Sequence, residues 1–144
     1  MSLDTRKPIA KVHTISVSIA VKDLQETSAW YSDNLGFEVV QRREFPEYST
    51  RIVFLEVNGV RIELIEDKAW KPVHRPDPPQ HTSLQGVSQI TFAVDDIDEV
   101  IKRVKSRDIT IAWDLVVVED LQLKEFFIRD NEGNIVQFTE SSKR

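Results

Sequence analysis

This chain of 144 residues contains no cysteine and no long apolar run. Without cysteine, disulfides, thiolate nucleophiles and zinc–thiolate sites are excluded together. No run approaches the roughly 18 apolar residues that a membrane-spanning helix requires, and the polar start MSLDTRKPIAK lacks the apolar segment of a signal peptide. We therefore expect a cytoplasmic protein.

Basic residues are also in the minority, with 19 Lys and Arg against 24 Asp and Glu, a net charge of −5. This balance disfavours nucleic acid and anionic membranes as partners, so we expect neither. It slightly favours a cationic over an anionic ligand. Hydrophobic residues make up 40% of the chain, which is typical of a globular protein.

What the sequence does contain is an internal duplication. At a shift of 73 residues, several positions of the first half recur in the second, and after one inserted residue the shift becomes 74. Repetition of whole elements in the same order makes a chance match less credible. The matching pairs include Ala20 with Ala93, Val21 with Val94, Asp23 with Asp96, Glu26 with Glu99, Gly59 with Gly133 and Glu66 with Glu140.

Each half opens with an alternating strand, at 16–21 and at 89–94, and continues into a helix. Asp23 and Asp96 are each followed three residues later by Glu, which is the capping-box pattern of a helix start. Gly36 is suited to the helix end. Three extended segments follow in each half, giving β-α-β-β-β twice; they lie near 37–44, 51–57 and 60–66, and near 110–118, 123–129 and 134–140.

A proline-rich stretch separates the halves. Residues 68–86 hold four of the six prolines and two of the three histidines. Proline interrupts regular ladders, and so long a connection in a compact protein is often functional, for example as a lid. We predict an α+β fold with an N-terminal segment 1–12 and a single domain 13–144, made of module 1 (13–67), linker or lid (68–86) and module 2 (87–140).

Four strands carry an unusual polar face. Their opposite faces are apolar and need a helix as cover, so the polar faces point away from the helices. Two interpretations stay open: a solvated sheet face, or a ligand cleft. Short and amide-bearing side chains that recur in both halves favour the cleft. The candidate pocket residues on these faces are Ser16, Ser18, Arg61, Glu63, Gln89, Thr91 and Gln137. His81 from the linker and the aromatic Trp113 from another strand are added to them.

The motifs WYSDNLGF, RIELIE, VSQITFAVDDIDEVI and FIRDNEGNIVQFTE, with the paired modules, resemble the vicinal oxygen chelate superfamily over about residues 13–140. This superfamily includes glyoxalase I, extradiol dioxygenases, methylmalonyl-CoA epimerase, fosfomycin-modifying enzymes and bleomycin-binding resistance proteins. The resemblance implies a curved, U-shaped mixed sheet around a cleft that takes a small-molecule ligand, and a homodimer. In the DNEGN turn, Asn131 stands where the family usually has proline.

Metal-dependent members of this family hold one divalent ion with four side chains. The equivalent positions here are Ser16, Glu63, Gln89 and Gln137, of which only Glu63 is a clearly competent ligand. We therefore predict no metal and no cofactor. If an ion binds, the resemblance implies one divalent cation (Mg, Ca, Mn, Ni, Zn or Fe) at Glu63 with Gln89 and Gln137.

Glu63 is the candidate catalytic residue. Deep in an amide-lined cleft its carboxylate is suited to act as a general base, or it pairs with Arg51 or Arg61 and holds structure. His81 is expected to be solvated in the linker, or to reach the cleft as an acid or base. Trp113 either stacks on a ligand or packs in the core.

Two functions therefore stay open. The first is a metal-free protein that binds a small molecule, an antibiotic or a metabolite, as bleomycin resistance proteins do. The second is a divergent glyoxalase-like lyase, isomerase or dioxygenase that uses a divalent metal.

Overall fold

The computed structural model describes residues 6–141 and contains the duplication as two successive β-α-β-β-β modules. The α+β prediction with tandem modules is confirmed, and most element bounds agree with the sequence pattern within one or two residues. Module 1 comprises β1 (Val17–Val21), α1 (Leu24–Leu35), β2 (Glu38–Phe45), β3 (Thr50–Val57) and β4 (Val60–Asp67), and module 2 comprises β5 (Ile90–Ala93), α2 (Ile97–Lys105), β6 (Ile111–Val118), β7 (Leu123–Arg129) and β8 (Ile135–Ser141).

Backbone hydrogen bonds organise the strands into two four-stranded mixed sheets, in the orders β1-β4-β3-β2 and β5-β8-β7-β6. In each sheet the opening strand pairs in parallel with the closing strand, and the other pairs are antiparallel. Ser18 is therefore directly opposite Glu63, and Thr91 directly opposite Gln137. The register places each polar pair on one face of its own sheet.

The apolar faces of the sheets form two buried clusters, one under each helix. Trp30, Leu35 and Phe92 pack against both clusters, so the two modules share a continuous interior. Burying these side chains away from water is the main favourable contribution to the fold. Within residues 6–141, no helix is long and apolar enough to cross a membrane.

The helix starts follow the sequence prediction. Asp23 and Asp96 cap α1 and α2 by accepting from the backbone N–H of Glu26 at 2.9 Å and of Glu99 at 3.1 Å. Gly36 ends α1 with a positive φ of 74°. At α1 the N–H of Asp23 is itself bound by a carboxylate from the other module.

That carboxylate belongs to Glu132, the one residue inserted in the second repeat. Its Oε1 accepts from the N–H of Lys22 at 2.7 Å, and its Oε2 accepts from the N–H of Asp23 at 2.9 Å and the hydroxyl of Thr27 at 3.0 Å. An anion at a helix N-terminus satisfies amides that lack partners within the helix. The insertion thus joins module 2 to the first turn of α1.

We expect Glu132→Ala to lower the free energy of unfolding by about 1–3 kcal/mol, because two amides and a hydroxyl lose their acceptor. Urea denaturation followed by circular dichroism measures this change. Glu26→Ala removes an exposed carboxylate from the same helical turn and is the matched control, with an expected change below about 1 kcal/mol. Equal losses in the two variants would contradict a bridging role for Glu132.

Candidate functional site

The polar face of module 1 centres on Glu63, which lies on β4 and is half-buried. The hydroxyl of Ser18 donates to Glu63 Oε1 at 2.5 Å, and Oε2 has no hydrogen bond to any described residue. The alternative in which an arginine neutralises Glu63 is wrong. Arg51 pairs instead with Glu66, and Arg61 pairs with Glu56, its direct neighbour across β3 and β4.

The polar face of module 2 centres on Gln137, which is only 6% exposed. Its Oε1 accepts from the hydroxyl of Thr91 at 2.6 Å and from Gln89 Nε2 at 3.0 Å. Gln89 Oε1 in turn accepts from the hydroxyl of Ser88 at 2.7 Å. Both amide oxygens are therefore saturated by donors of the protein itself, while Gln137 Nε2 has no hydrogen bond to a described residue.

His81 joins this amide network from the linker. Its Nε2 lies 2.8 Å from Gln89 Oε1, which accepts a hydrogen bond from the tautomer that carries its proton on Nε2. The ring is buried, with its centroid 5.5 Å from that of Phe127, and Nδ1 is buried without a partner among residues 6–141. The expectation of a solvated His81 is wrong, because the linker folds back over module 2 and the imidazole fills the space above Phe127.

The linker, residues 68–86, is held against the rest of the molecule by hydrogen bonds from two arginines, and we call it the strap. Arg75 Nη1 donates to the carbonyls of His81 at 2.6 Å and Leu84 at 3.0 Å. Arg129 donates to the carbonyl of Arg75 at 2.8 Å and pairs with Asp77 at 2.6 Å. Its Nη1 also donates to the carbonyl of Gly133 at 2.7 Å, so one arginine holds the strap to the turn before β8.

A cavity of about 480 Å³ lies beneath this strap, where the free edges of β1 and β5 approach the turn before β8. Ser18 and Gln89, both expected from the sequence, line it. Trp70 and Arg75 also line it and are absent from the sequence-based candidates. The proline content indicated a functional linker, but a segment without regular periodicity gives no signal for which side chains face inward.

None of the other candidates is in the lining of this cavity, namely Ser16, Arg61, Glu63, Thr91, His81, Trp113 and Gln137. Trp113 stacks on Phe127, with centroids 5.8 Å apart, further along the row that contains Gln137. Arg61 lies over the ring of Phe54 at 5.0 Å, outside the cavity lining. Ser16 is exposed and precedes β1. The structure therefore brings Ser18 to Glu63, and Gln89, Thr91 and His81 to Gln137.

The four positions that the family resemblance marks for a metal do not match what a divalent cation requires. Such an ion needs several free oxygen or imidazole donors with enough negative charge to offset its lost hydration. Glu63 provides one carboxylate, and the carbonyl oxygens of Gln89 and Gln137 are already occupied. Within residues 6–141 no three His, Cys, Asp or Glu residues are grouped so as to hold a metal.

Known proteins resemble this chain in both sequence and fold. Methylmalonyl-CoA epimerase from Homo sapiens mitochondria is 29% identical over 97 residues, covering 65% of this chain and 52% of the epimerase. The corresponding enzyme of Mus musculus is 26% identical over 107 residues, covering 71% of this chain and 57% of the enzyme. The chain thus spans little more than half the length of these curated relatives.

Among solved structures, a glyoxalase family protein from Enterococcus faecalis superposes with a TM-score of 0.72 at 24% identity, covering 92% of this chain and 98% of that one. A fosfomycin resistance protein from Listeria monocytogenes, solved with Mn(II) and sulfate, superposes with a TM-score of 0.68 at 14% identity, covering 93% and 96%. These similarities concern the fold. The model of the Glyoxalase/Bleomycin resistance protein/Dioxygenase superfamily matches residues 12–138, and the chain belongs to this superfamily.

Proposed function

We propose that this protein binds a small organic molecule in the cavity beneath the linker and does so without a divalent metal. The observation that carries the proposal is the saturation of Gln89 Oε1 and Gln137 Oε1 by donors of the protein itself. A metal would have to displace those donors, and each hydrogen bond lost in this way would cost about 0.5–1.5 kcal/mol. Each polar network contributes a residue to the lining of the cavity, Ser18 from the pair with Glu63 and Gln89 from the network of Gln137.

The geometry of the cavity supports the same proposal. Its volume of about 480 Å³ lies within the range of small-molecule sites, which is roughly 300–1,000 Å³. Apolar walls with a few oriented polar groups are typical of such sites. The strap that roofs the cavity is held by hydrogen bonds from Arg75 and Arg129, so little ordering is needed when a ligand enters.

Metal analysis tests the proposal directly. We expect purified protein to contain substoichiometric Mn, Fe, Ni and Zn, and calorimetric titration with these ions, Mg and Ca to show no binding tighter than the millimolar range. The reason is the single carboxylate at the four family positions. One ion per chain, retained through dialysis against a weak chelator, would refute the metal-free proposal.

A second candidate function, proton transfer on a carbon acid, is favoured by Glu63 and by the curated relatives. Those relatives are epimerases. Glu63 is half-buried, and its carboxylate is oriented by the hydrogen bond that Ser18 donates to Oε1. A carboxylate held in this way is suited to act as a general base.

For this candidate we expect Glu63→Gln to abolish solvent-deuterium exchange into methylmalonyl-CoA while leaving the free energy of unfolding within about 1 kcal/mol of wild type. The reason is that Gln keeps an oxygen for Ser18 but provides no base. Mass spectrometry of the recovered thioester gives the exchange, and Glu56→Gln is the charge-matched control on the neighbouring strand. Absence of exchange in the wild-type protein would exclude this candidate for that substrate.

A further inference from the structure

Arg75 lines the cavity, and one edge of its guanidinium has no hydrogen bond within residues 6–141. Nη1 is committed to the carbonyls of His81 and Leu84, whereas Nε and Nη2 have no hydrogen bond to any residue in 6–141. Nε and Nη2 carry parallel N–H bonds on one side of the planar group. That edge matches two oxygens of a single carboxylate or phosphate, which is the strongest type of charge-assisted pair.

We infer that the cavity receives the oxyanion group, a carboxylate or a phosphate, of a small molecule with an apolar body, and that Arg75 is the residue that binds it. The inference rests on the proposed small-molecule binding at this cavity. It adds the chemical class of the ligand and the residue that selects it.

The position of Arg75 is fixed from both sides. Its Nη1 bonds prevent rotation of the guanidinium, and its own backbone carbonyl accepts from Arg129 Nη2. The Arg129 side chain is only 13% exposed and pairs with Asp77 in the same strap. A side chain that is already immobilised loses little conformational entropy when it binds, so its bonds to a ligand contribute more of their energy to affinity.

The charge around the cavity is opposite in sign to that of the chain. Lys71 and Arg75 are the two cations of the lining, and Glu132 is its one acid. Both oxygens of Glu132 are already bound by the start of α1. The surroundings of Arg75 are therefore positive in a protein of net charge −5, which argues against the cationic ligand that the overall charge favoured.

The body of the ligand follows from the remaining walls. Trp70, Val73, Val87 and Ile90 line the same cavity and provide apolar surface, with the indole available for contact with a ring. Ser18 and Gln89 add polar groups next to the two networks described above. A compact molecule with an oxyanion at one end and an apolar or aromatic remainder fits this arrangement.

Three probes of one shape test the inference: benzoate, phenyl phosphate and the neutral benzamide, each titrated while tryptophan fluorescence is recorded and checked by calorimetry. We expect at least one of the two anions to bind about tenfold or more tightly than benzamide, and the preferred anion to show which oxyanion the site takes. In Arg75→Gln the advantage over benzamide should disappear. Arg75→Lys keeps the charge without the paired edge and should recover only part of it.

Lys102→Gln makes the same change in charge on the exposed surface of α2 and should leave every affinity unchanged. Circular dichroism and urea unfolding establish that the Arg75 variants are folded. Benzamide binding as tightly as both anions, or an anion preference that survives Arg75→Gln, overturns the inference while leaving small-molecule binding in place. Stoichiometric metal, by contrast, refutes the proposed function itself, and no binding of any probe at millimolar concentration overturns the inference.

Discussion

Asp130→Ala should lower the free energy of unfolding by about 3–5 kcal/mol, the largest single-residue loss that we expect outside the apolar core, because several donors lose one shared acceptor. Asp130 is 6% exposed, and four donors converge on its carboxylate. Oδ1 accepts from the N–H of Glu132 and of Asn134, both at 2.9 Å. Oδ2 accepts from the hydroxyl of Tyr31 at 2.8 Å and from Asn134 Nδ2 at 2.9 Å. Alanine would leave these donors without an acceptor.

The bond to Tyr31 makes the effect extend across the molecule. Tyr31 lies on α1 and is fully buried, whereas Asp130 begins the turn before β8, so the pair joins the two modules. Burial raises the pKa of the Tyr31 phenol well above its usual 10.0, and the adjacent charge of Asp130 and their hydrogen bond raise it further. The phenol therefore stays a neutral donor, and its contribution to stability begins to be lost only as the pH rises above about 10, where the unfolded chain ionises first.

Chemical denaturation at pH 7 measures the loss. Asp130→Asn keeps one acceptor oxygen and should cost less than Asp130→Ala, and Tyr31→Phe removes one donor and should cost about 1–2 kcal/mol. Asp108→Ala, at an exposed position after α2, is the surface control with an expected change within about 0.5 kcal/mol. A loss for Asp130→Ala no greater than that of Tyr31→Phe would show that water replaces the carboxylate.

Gln137→Glu should destabilise the protein by about 2–4 kcal/mol at pH 7 in the presence of a chelator. The substitution replaces one nitrogen by oxygen and places a charge at a position that is 6% exposed. Gln89 and Thr91 still donate to one oxygen, but the second oxygen gains no donor. Because burial raises the pKa of such a carboxyl group, the loss should shrink as the pH falls and the group is protonated in both states.

The same variant should acquire a response to divalent cations that we do not expect of the wild-type protein. Together with Glu63, the new side chain gives the positions of the family site two carboxylates. An ion at a concentration of 100 times its dissociation constant would then raise the free energy of unfolding by about 2.7 kcal/mol. Unfolding free energies with and without manganese measure this recovery. Gln137→Met has nearly the same volume without charge and should show no such response. A Gln137→Glu protein as stable as wild type in chelator would mean that the amide network is open to water.

The fold was accessible from the sequence because each half repeats the same local signals. Alternating strands, Asp at the two helix starts and Gly36 at the end of α1 are all short-range patterns, and the duplication doubles the support for each. The bridge of Glu132 to α1 was not accessible, because it joins residues about 110 positions apart and its only sequence signal is a break in the repeat.

The residues of the candidate site also divide into those that short-range sequence patterns predict and those that depend on contacts between distant residues. Ser18, Glu63, Thr91 and Gln137 follow from strand alternation, which fixes the face but not the partner of each side chain. Their pairing across β1–β4 and β5–β8, and the use of Arg51 and Arg61 elsewhere, depend on tertiary register. Trp70, Arg75 and the burial of His81 depend on the path of an irregular linker, which has no periodicity to predict it.

The position of Glu132 also has a consequence for how the duplicated halves can exist apart. Module 1 carries a set of donors at the start of α1, and the carboxylate that binds them is encoded more than a hundred residues later, next to Asp130, which binds Tyr31 of the same helix. Each half therefore contains polar groups whose partners within the protein lie in the other half. If the chain is cut in the exposed part of the linker, the two fragments should associate again. Neither half in its present form is therefore a good representative of an ancestral module that folded by itself.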